Sequence, residues 1–320
     1  MALRVVTWNI GANSVAPPAR GALDIEGTSR PAAFARVMRA LDPDVVCLQE
    51  YTRAPSGAAA LLDSLRPLGA ERRWQAFSAL GNVLLSRYPL LDRTARSLRF
   101  RLSQRAHAIA RVDVPDSIAL VDPVAVCTHL QSGGGSANEG FRTRHSETIL
   151  RDVAPRLRRS GTVSPLIVLG DLNAVDGTVP YLLSRASAGT GSLPLAEARP
   201  LHNGVGPERY TWRDDSQRFT PGVLDYVLFS PAFIVRNAFV LNTTSLDSLA
   251  LLAFGLRRGD TMREPANGVH DHLPVVVDLE RAGALLRTPA AARRRSGSRA
   301  SCRRTESARP MRGQSAHSAS

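Results

Sequence analysis

The 320-residue chain contains no lysine, so all 41 of its basic residues are arginines. It has three cysteines and few aromatic residues, and none of its apolar runs approaches the roughly 18 residues that a membrane-spanning helix needs. Three scattered cysteines make neither a disulfide framework nor a zinc motif, and we therefore expect a protein of the reducing cytoplasm. The N-terminus, MALRVVTWNI, lacks the pattern of an export signal and is predicted to form the first strand.

The net charge of +13 is divided unevenly along the chain. Residues 283–320 hold nine arginines and one acidic residue, a net charge of +8, which leaves +5 for residues 1–282. The C-terminal segment also lacks apolar periodicity, so we predict one folded domain over residues 1–282 and a disordered Arg/Ser-rich tail over residues 283–320. Such a tail is able to bind nucleic acid through phosphate contacts, and it is equally compatible with a solvated extension that has no partner.

Short runs rich in valine, isoleucine and leucine predict nine β-strands, and helical patterns lie between several of them. Many strands with a few helices predict an α/β sandwich, with sheets packed on each other and helices outside. The predicted strands are LRVVTWNI, DVVCLQE, GNVLLSRYP, HAIARVDV, PVAVCTHL, PLIVLGDLN, VLDYVLFS, FIVRNAFVL and LPVVVDLE. The predicted helices are RPAAFARVMRALDP, GAAALLDSLRPLG, FRTRHSETILRDVAPRLRRSG, which ends at Gly161, and the apolar segment SLALLAFGL, interpreted as a core helix.

Polar residues stand at the ends of most of these strands. One such residue is typical of a turn, but a set of them in one chain favours a shared site. The set consists of Asn9, Glu50, His129, Asp171, Asn173, Asp225, Asp271 and His272. Carboxylates such as Glu50, Asp171 and Asp271 suit a hard cation like Mg²⁺, whereas a zinc site would need more histidine or cysteine at short spacing.

The motifs TWNI, LQE, THL, GDLNA, LDYVL and HDHLPV occur in the order found in the endonuclease/exonuclease/phosphatase superfamily, which the chain resembles from residue 3 to about residue 280. The resemblance implies a DNase I-like four-layer α/β sandwich, with two central mixed β-sheets flanked by helices and a cleft at the strand ends. It also implies a metal-dependent phosphoesterase that hydrolyses a phosphodiester or phosphomonoester by metal-assisted attack of water.

The resemblance further implies roles for the strand-end residues. Glu50 with Asn9 beside it would hold Mg²⁺, for which Mn²⁺ can substitute, and Asp271 would bind or orient metal. Asp171 would position or deprotonate the attacking water, and Asn173 would hydrogen-bond the phosphoryl oxygens.

Three further residues would complete the contacts with substrate. His272, oriented by Asp225, would contact the scissile phosphate, and His129 would stabilise phosphate or protonate the leaving oxygen. Asn82 would line the same cleft. These residue types suit the reaction, because in-line attack builds negative charge on phosphoryl oxygens, and cations and hydrogen-bond donors stabilise that charge.

Several of these residues are also compatible with structural roles. His129 fits a core histidine bonded to backbone, and Asn82 fits a turn. Arg142 or Arg144 can reach phosphate or lie on a solvated helix face. No role is predicted for His107, His145, His202 or His270.

The branch of the superfamily stays open at this stage. The segment AVCTHLQSGGG lacks the tyrosine-and-proline motif of abasic-site endonucleases, and Tyr51, Thr52 and Arg53 follow LQE where those enzymes carry threonine and lysine. The alternatives are a nuclease that acts on DNA or RNA with the Arg-rich tail as an anchor, and an inactive scaffold of the same fold. We expect a monomer that binds a phosphate-ester substrate.

Overall fold

The computed structural model of the chain describes residues 1–11, 31–51, 55–65, 68, 73–100, 103–159, 162–175, 183, 194–216, 219–262, 264–266 and 271–283. The predicted tail from residue 284 onwards and His270 lie outside the described residues. Within those residues, no helix is long and apolar enough to cross a membrane.

The described residues form fifteen strands and four helices. The strands are β1 (Ala2–Asn9), β2 (Val45–Gln49), β3 (Gln75–Ala79), β4 (Asn82–Ser86), β5 (Leu90–Phe100), β6 (Ser103–Val112), β7 (Val124–His129), β8 (Arg158–Arg159), β9 (Thr162–Val163), β10 (Leu166–Asp171), β11 (Ala196–Glu197), β12 (Leu201–His202), β13 (Asp225–Phe229), β14 (Phe233–Val240) and β15 (Val275–Arg281). The helices are α1 (Pro31–Leu41), α2 (Pro55–Leu65), α3 (Ser136–Leu157) and α4 (Ser248–Ala253).

Two central mixed sheets confirm the four-layer sandwich. Sheet A has the strand order β12-β14-β15-β1-β2-β4-β3, and sheet B has the order β11-β13-β10-β7-β6-β5. One hydrophobic cluster fills the space between the sheets. A second cluster joins the outer face of sheet A to α1 and α2, and a third joins the outer face of sheet B to α3.

The central strands are buried on both faces, which explains their almost continuous apolar sequences. In β1, Val5 points into the core between the sheets while Val6 packs under the helices of sheet A. In β10, Leu169 points between the sheets while Val168 packs under α3. All nine predicted strands are present, as β1, β2, β4, β6, β7, β10, β13, β14 and β15.

Two helix predictions need correction. The helix predicted from Phe141 to Gly161 is present with other ends, because α3 begins at Ser136 and ends at Leu157, where the chain turns into β8. Helix α4 is not a core helix, because Leu249 and Leu252 are about four-fifths exposed and only Leu251 of its residues is buried. A six-residue helix packed on one side against sheet A leaves its other leucines in solvent.

A disulfide joins Cys47 of β2 to Cys127 of β7 with an S–S distance of 2.10 Å. Both cysteines are buried between the two sheets, so the bond ties sheet A to sheet B. The inference that the three cysteines form no disulfide framework was wrong for this pair, because the two positions lie 80 residues apart and only the topology brings them together. Disulfides are typical of oxidising compartments, so the cysteine argument for a reducing cytoplasm no longer holds and the compartment stays a prediction.

Candidate active site

The polar ends of five strands meet at one edge of the sandwich. In sheet A, β1 and β2 run parallel with Asn9 beside Gln49, and Glu50 follows directly. In sheet B, β10 lies between β7 and β13, so that Asp171 pairs in register with His129 on one side and Asp225 on the other. The sheet register therefore assembles residues that are far apart in sequence.

Asp171 occupies the centre of this edge and is 1% exposed. Its Oδ2 accepts a hydrogen bond from Asn9 Nδ2 at 3.0 Å and lies 3.4 Å from His129 Nε2. Its Oδ1 accepts the backbone N–H of Asn173 at 2.9 Å. Asn9 Nδ2 also lies 3.3 Å from Glu50 Oε1, so this amide connects the carboxylates of the two sheets.

His272 and Asp225 form a buried pair. Nδ1 of the imidazole lies 2.8 Å from Asp225 Oδ2, and the Nε2 atom on the opposite side of the ring lies 3.8 Å from Asp171 Oδ2. The carbonyl oxygen of His272 accepts a hydrogen bond from the Trp8 indole at 3.2 Å. The predicted carboxylate–histidine pair is therefore present, and it directs Nε2 toward Asp171.

Burial and neighbouring charges give the three groups different protonation behaviour. Burial raises the pKa of Asp171 to about 7, with the His272 charge opposing this rise and the Asp225 carboxylate adding to it. Burial acts to lower the pKa of His272, but the Asp225 and Asp171 carboxylates outweigh it and raise that pKa to about 10. Burial and the nearby cations hold the pKa of His129 well below its usual value. The carboxylates therefore favour the imidazolium form of His272, whereas burial favours the neutral imidazole form of His129.

The backbone at this edge has unusual geometry. Glu50 has a φ of 58° and Asn173 a φ of 47°, both in the left-handed region. Asparagine tolerates this region, whereas for glutamate it is uncommon. Directly before Asp171, a Cβ on Gly170 would lie 1.9 Å from the carbonyl oxygen of Thr128, so only glycine lets β10 approach β7 this closely.

A cavity of about 650 Å³ opens above these groups. Its floor contains Asn9, Glu50, Asp171, His129 and His272. One wall is the glycine-rich loop of residues 132–134, and the opposite wall is apolar, formed by Trp212, Phe219 and residues 221–224. The rings of Trp212 and Phe219 lie 6.1 Å apart, so they form a paired aromatic surface beside the carboxylates.

Arg105 also lines this cavity, and the sequence interpretation missed it. Burial lowers the pKa of its guanidinium, while the charges of Glu50 and Asp171 act in the opposite direction. Its Nη2 donates to Ser132 Oγ at 3.3 Å, and among the described residues Nε has no hydrogen-bond partner. The sequence contains one indication of this position, since Arg105 lies near the start of β6, beside the end of β7. An arginine before an apolar strand is, however, usually exposed to solvent.

Asp225 does not line the cavity itself and acts on it through its contact with His272. Two other predicted site residues, Asn82 and Asp271, also lie away from the cavity wall. Asn82 is buried and its Nδ2 donates to the carbonyl of Ala106 at 2.9 Å. Asp271 Oδ2 accepts the Trp212 indole N–H at 2.8 Å, which fixes one face of the aromatic wall. Neither residue is among those that form the cavity in the described part of the chain, and their substrate and metal roles stay predictions.

Of the two arginines suggested for phosphate contact, only Arg142 contacts a loop of the cavity. Arg142 is fully buried, and its guanidinium donates to Glu139 and to the carbonyls of Gln131 and Gly133. It therefore fixes the glycine-rich loop instead of facing solvent. Arg144 is exposed and lies over the ring of Phe141.

Two histidines without a predicted role form a buried network under α3. His107 Nε2 lies 3.0 Å from Asp152 Oδ2, and His107 Nδ1 lies 3.1 Å from His145 Nε2. If His107 donates to the carboxylate, its Nδ1 accepts from His145, whose own Nδ1 then needs no proton and has no partner among the described residues. Burial, with smaller effects from His107 and Arg105, lowers the pKa of His145 to about 3.

Acid is expected to destabilise the protein through His145. The unfolded chain binds a proton at this histidine below about pH 6.5 and the folded chain does not, so stability falls as the pH drops from 6.5 towards 3. His145→Gln removes this contribution, and the free energy of unfolding should then fall less steeply, by up to about 1.4 kcal/mol per pH unit. Urea unfolding of both proteins between pH 6.5 and 4.5 measures the slopes, and identical slopes would contradict the assignment.

The comparisons with known proteins identify the family and the fold. The model of the Endonuclease/Exonuclease/phosphatase family matches residues 6–248. The chain therefore belongs to the endonuclease/exonuclease/phosphatase family, whose members are hydrolases that act on phosphoester bonds and generally depend on divalent metal. Among curated protein sequences, none matches the chain.

Solved structures share the fold. An endonuclease/exonuclease/phosphatase from Beutenbergia cavernae DSM 12333 is 26% identical with a TM-score of 0.56, over 88% of this chain and 72% of that one. The human Nocturnin catalytic domain with bound sulfate is 20% identical with a TM-score of 0.57, over 88% and 95% of the two chains. The mannosyl-6-phosphatase Bt3783 of Bacteroides thetaiotaomicron VPI-5482 is 16% identical with a TM-score of 0.58, over 87% and 99%.

Proposed function

We propose that the protein is a Mg²⁺-dependent phosphoesterase that uses water to hydrolyse a phosphodiester or phosphomonoester in the cavity above Asp171. The observation that carries the proposal is the position of this carboxylate. It lies between the amide of Asn9 and the pair of His272 and Asp225, at the floor of an open cavity. A buried acid with its pKa raised to about 7 and a cationic donor beside it form a site suited to attack on phosphorus.

The residues present fit a hard divalent cation. Glu50 and Asp171 bring two carboxylates to the cavity floor on either side of the Asn9 amide, whose Nδ2 lies 3.3 Å from Glu50 Oε1 and 3.0 Å from Asp171 Oδ2. Carboxylate oxygens are the ligands that hard cations prefer. Burial raises the pKa of Glu50, and a bound cation would favour its charged form. We propose that Glu50 and Asn9 hold Mg²⁺, or Mn²⁺ in its place. Such an ion, when bound, supplies positive charge that stabilises the phosphoryl oxygens.

The chain's own groups then divide the remaining work. Asp171 positions the water and accepts its proton as the new O–P bond forms. His272, held by Asp225, donates a hydrogen bond from Nε2 to a phosphoryl oxygen and carries a proton that it can give to the leaving oxygen. His129 and Asn173 contact the phosphate as neutral groups. The low pKa of His129 favours His272 over His129 as the acid.

The test is an activity screen of the full chain with Mg²⁺, with Mn²⁺ and in EDTA. The substrates are bis(p-nitrophenyl) phosphate, p-nitrophenyl phosphate, plasmid DNA, abasic-site DNA, RNA, sphingomyelin and inositol phosphates. We expect turnover of at least one ester that EDTA abolishes and added Mg²⁺ restores. Absence of turnover on every substrate, together with absence of Mg²⁺ or Mn²⁺ binding by calorimetry, would support the inactive scaffold instead.

Arg105 is expected to bind the substrate phosphate. Its guanidinium lies on the cavity wall, where the terminal N–H groups can donate charge-assisted hydrogen bonds to an anionic substrate. Arg105→Gln should lower kcat/KM by about 10- to 100-fold, mainly through KM, because a charge-assisted hydrogen bond contributes about 1.5–3 kcal/mol. Steady-state kinetics measure this, with Arg236→Gln on the exposed face of β14 as the control. Equal kinetics for the two variants would remove Arg105 from the site.

A further inference from the structure

Two buried side-chain atoms of opposite hydrogen-bonding character are unsatisfied near the active site. One is Nε of Arg105, a donor on the cavity wall, and the other is Nδ1 of His145 in α3. Neither atom has a hydrogen-bond partner among the described residues. Buried polar atoms without a partner are rare in folded proteins, because burial removes their bonds to water and gives nothing in return.

The fold places these two groups close to each other. Arg105, His107 and Ile109 alternate along β6, so they lie on the face of sheet B that α3 covers. His145 packs over His107, with its Nε2 atom 3.1 Å from His107 Nδ1. The charge of Arg105 contributes to the lowered pKa of His145, although burial has the larger effect. The imidazole of His145 is therefore within electrostatic reach of the guanidinium.

A chain of hydrogen bonds determines which nitrogens of the two histidines carry a proton. Asp152 Oδ2 accepts from Arg96 Nε at 2.6 Å, so this carboxylate is ion-paired and acts only as an acceptor. His107 Nε2, 3.0 Å from the same oxygen, then carries the proton, and His107 Nδ1 accepts from His145 Nε2. Burial favours the neutral form of both imidazoles. His145 Nδ1 is therefore an acceptor, which complements the N–H donor of Arg105.

The other contacts of Arg105 leave its guanidinium incompletely fixed. Its Nη2 donates to Ser132 Oγ at 3.3 Å, and Ser132 belongs to the glycine-rich loop that Arg142 holds through the carbonyl of Gly133. The Nε atom is buried and points away from solvent. Because the guanidinium is planar, a bond at Nε would set the direction in which the terminal N–H groups point.

We propose that His145 is a positioning residue for Arg105 and that it acts through one buried water molecule. The water accepts the Nε–H of Arg105 and donates to Nδ1 of His145, so both groups gain a partner. The ordered chain of Asp152, His107 and His145 thereby holds the guanidinium with its terminal N–H groups toward the cavity. The proposal rests on the proposed function, because it assigns a support to an arginine that is expected to bind the substrate phosphate.

Two substitutions separate the roles of the two ring nitrogens. In H145Q, the amide nitrogen can replace Nε2 and keep the bond to His107, but no acceptor remains at the place of Nδ1. In H145N, the amide oxygen takes the place of Nδ1, but the shorter side chain does not reach His107. A purely structural role of His145 would make H145Q the milder variant, whereas positioning of Arg105 makes H145N the milder one. Thermal unfolding verifies that both variants fold.

The first measurement is calorimetric titration of the full chain with inorganic phosphate in the presence of Mg²⁺. H145Q should bind phosphate about 3- to 10-fold more weakly, and in the hydrolysis assay it should raise KM more than it lowers kcat. H145N should restore binding to within about twofold of the wild type. H145Q should have no further effect when Arg105 is already replaced in R105Q. Equal losses in H145Q and H145N, or an undiminished H145Q effect in R105Q, would overturn the proposal.

The second measurement, nitrogen-15 NMR of the free protein, needs neither phosphate nor turnover. The Arg105 Nε–H signal, assigned by its absence in R105Q, should exchange slowly with solvent in the wild type and in H145N and faster in H145Q. The histidine ring spectrum should show His145 protonated at Nε2 only. A proton on Nδ1, or equal exchange of Arg105 in all three proteins, would overturn the proposal. A wild-type protein that binds no phosphate would count against the proposed function, and the Arg105 signal would then decide the role of His145 by itself.

Discussion

Asp171→Asn is expected to lower kcat by about 10²- to 10⁴-fold, the usual contribution of a positioned general base. Asparagine keeps the volume and one acceptor oxygen, but it cannot accept a proton from water. Hydrolysis of bis(p-nitrophenyl) phosphate in saturating Mg²⁺, followed as release of p-nitrophenolate, measures the loss. A variant that keeps more than a tenth of the wild-type kcat would contradict the role of Asp171.

The stability of the same variant separates a catalytic role from a structural one. Burial disfavours the Asp171 carboxylate, as its raised pKa indicates, so removal of the charge relieves a cost. The loss of one hydrogen bond, from Asn9 or from the Asn173 amide, acts in the opposite direction. We therefore expect the Tm to change by only a few degrees. Asp260→Asn is the control, since it breaks the buried ion pair with Arg36 and should lower the Tm while kcat is unchanged.

Loss of the disulfide is expected to be the largest stability effect. The bond closes a loop with a sequence separation of 80 residues. Disulfides typically contribute about 2–4 kcal/mol, and the chain-entropy account gives about 4.5 kcal/mol for a loop of this length. Urea unfolding of C47A/C127A should show this decrease in the free energy of unfolding. Because both cysteines are fully buried, a mild reductant should leave the native enzyme active. Cys302→Ala, in the tail, is the control and should not change stability.

Thiol counting tests the bond itself. N-ethylmaleimide added in denaturant without reductant should label one cysteine, Cys302, and mass spectrometry should show three labels after reduction. Three labels before reduction would mean that Cys47 and Cys127 are free. Stability equal to wild type in C47A/C127A would show that the link has no part in holding the sheets together.

The sequence predicts most of the sandwich because its central strands are buried on both faces. This environment requires continuous apolar runs, which short windows detect. Strand β5 was missed because it lies at the edge of sheet B and carries Arg93, Arg96 and Arg99. Its sequence therefore shows no apolar face. Strand β3 is short and partly exposed, and it gives the same weak signal.

The sequence also predicts some residues of the candidate site and misses others. Residues that end a buried strand, such as Asp171 and His129, stand out against their apolar surroundings. Arg105 does not, because its role depends on the pairing of β6 with β7 and on the position of Ser132. Asp271 shows the opposite problem, since its motif predicts a metal contact while the direction of its side chain toward Trp212 depends on tertiary packing.

The left-handed backbone conformation of Glu50, the proposed metal ligand, lowers the stability of the fold. A non-glycine residue in this region costs about 1–3 kcal/mol, and glycine would relieve that cost while removing the carboxylate. Selection for stability alone would therefore favour glycine at this position. The resulting protein would be more stable but would lack the proposed metal site. A glutamate at so unfavourable a position is what selection for chemistry over stability would leave.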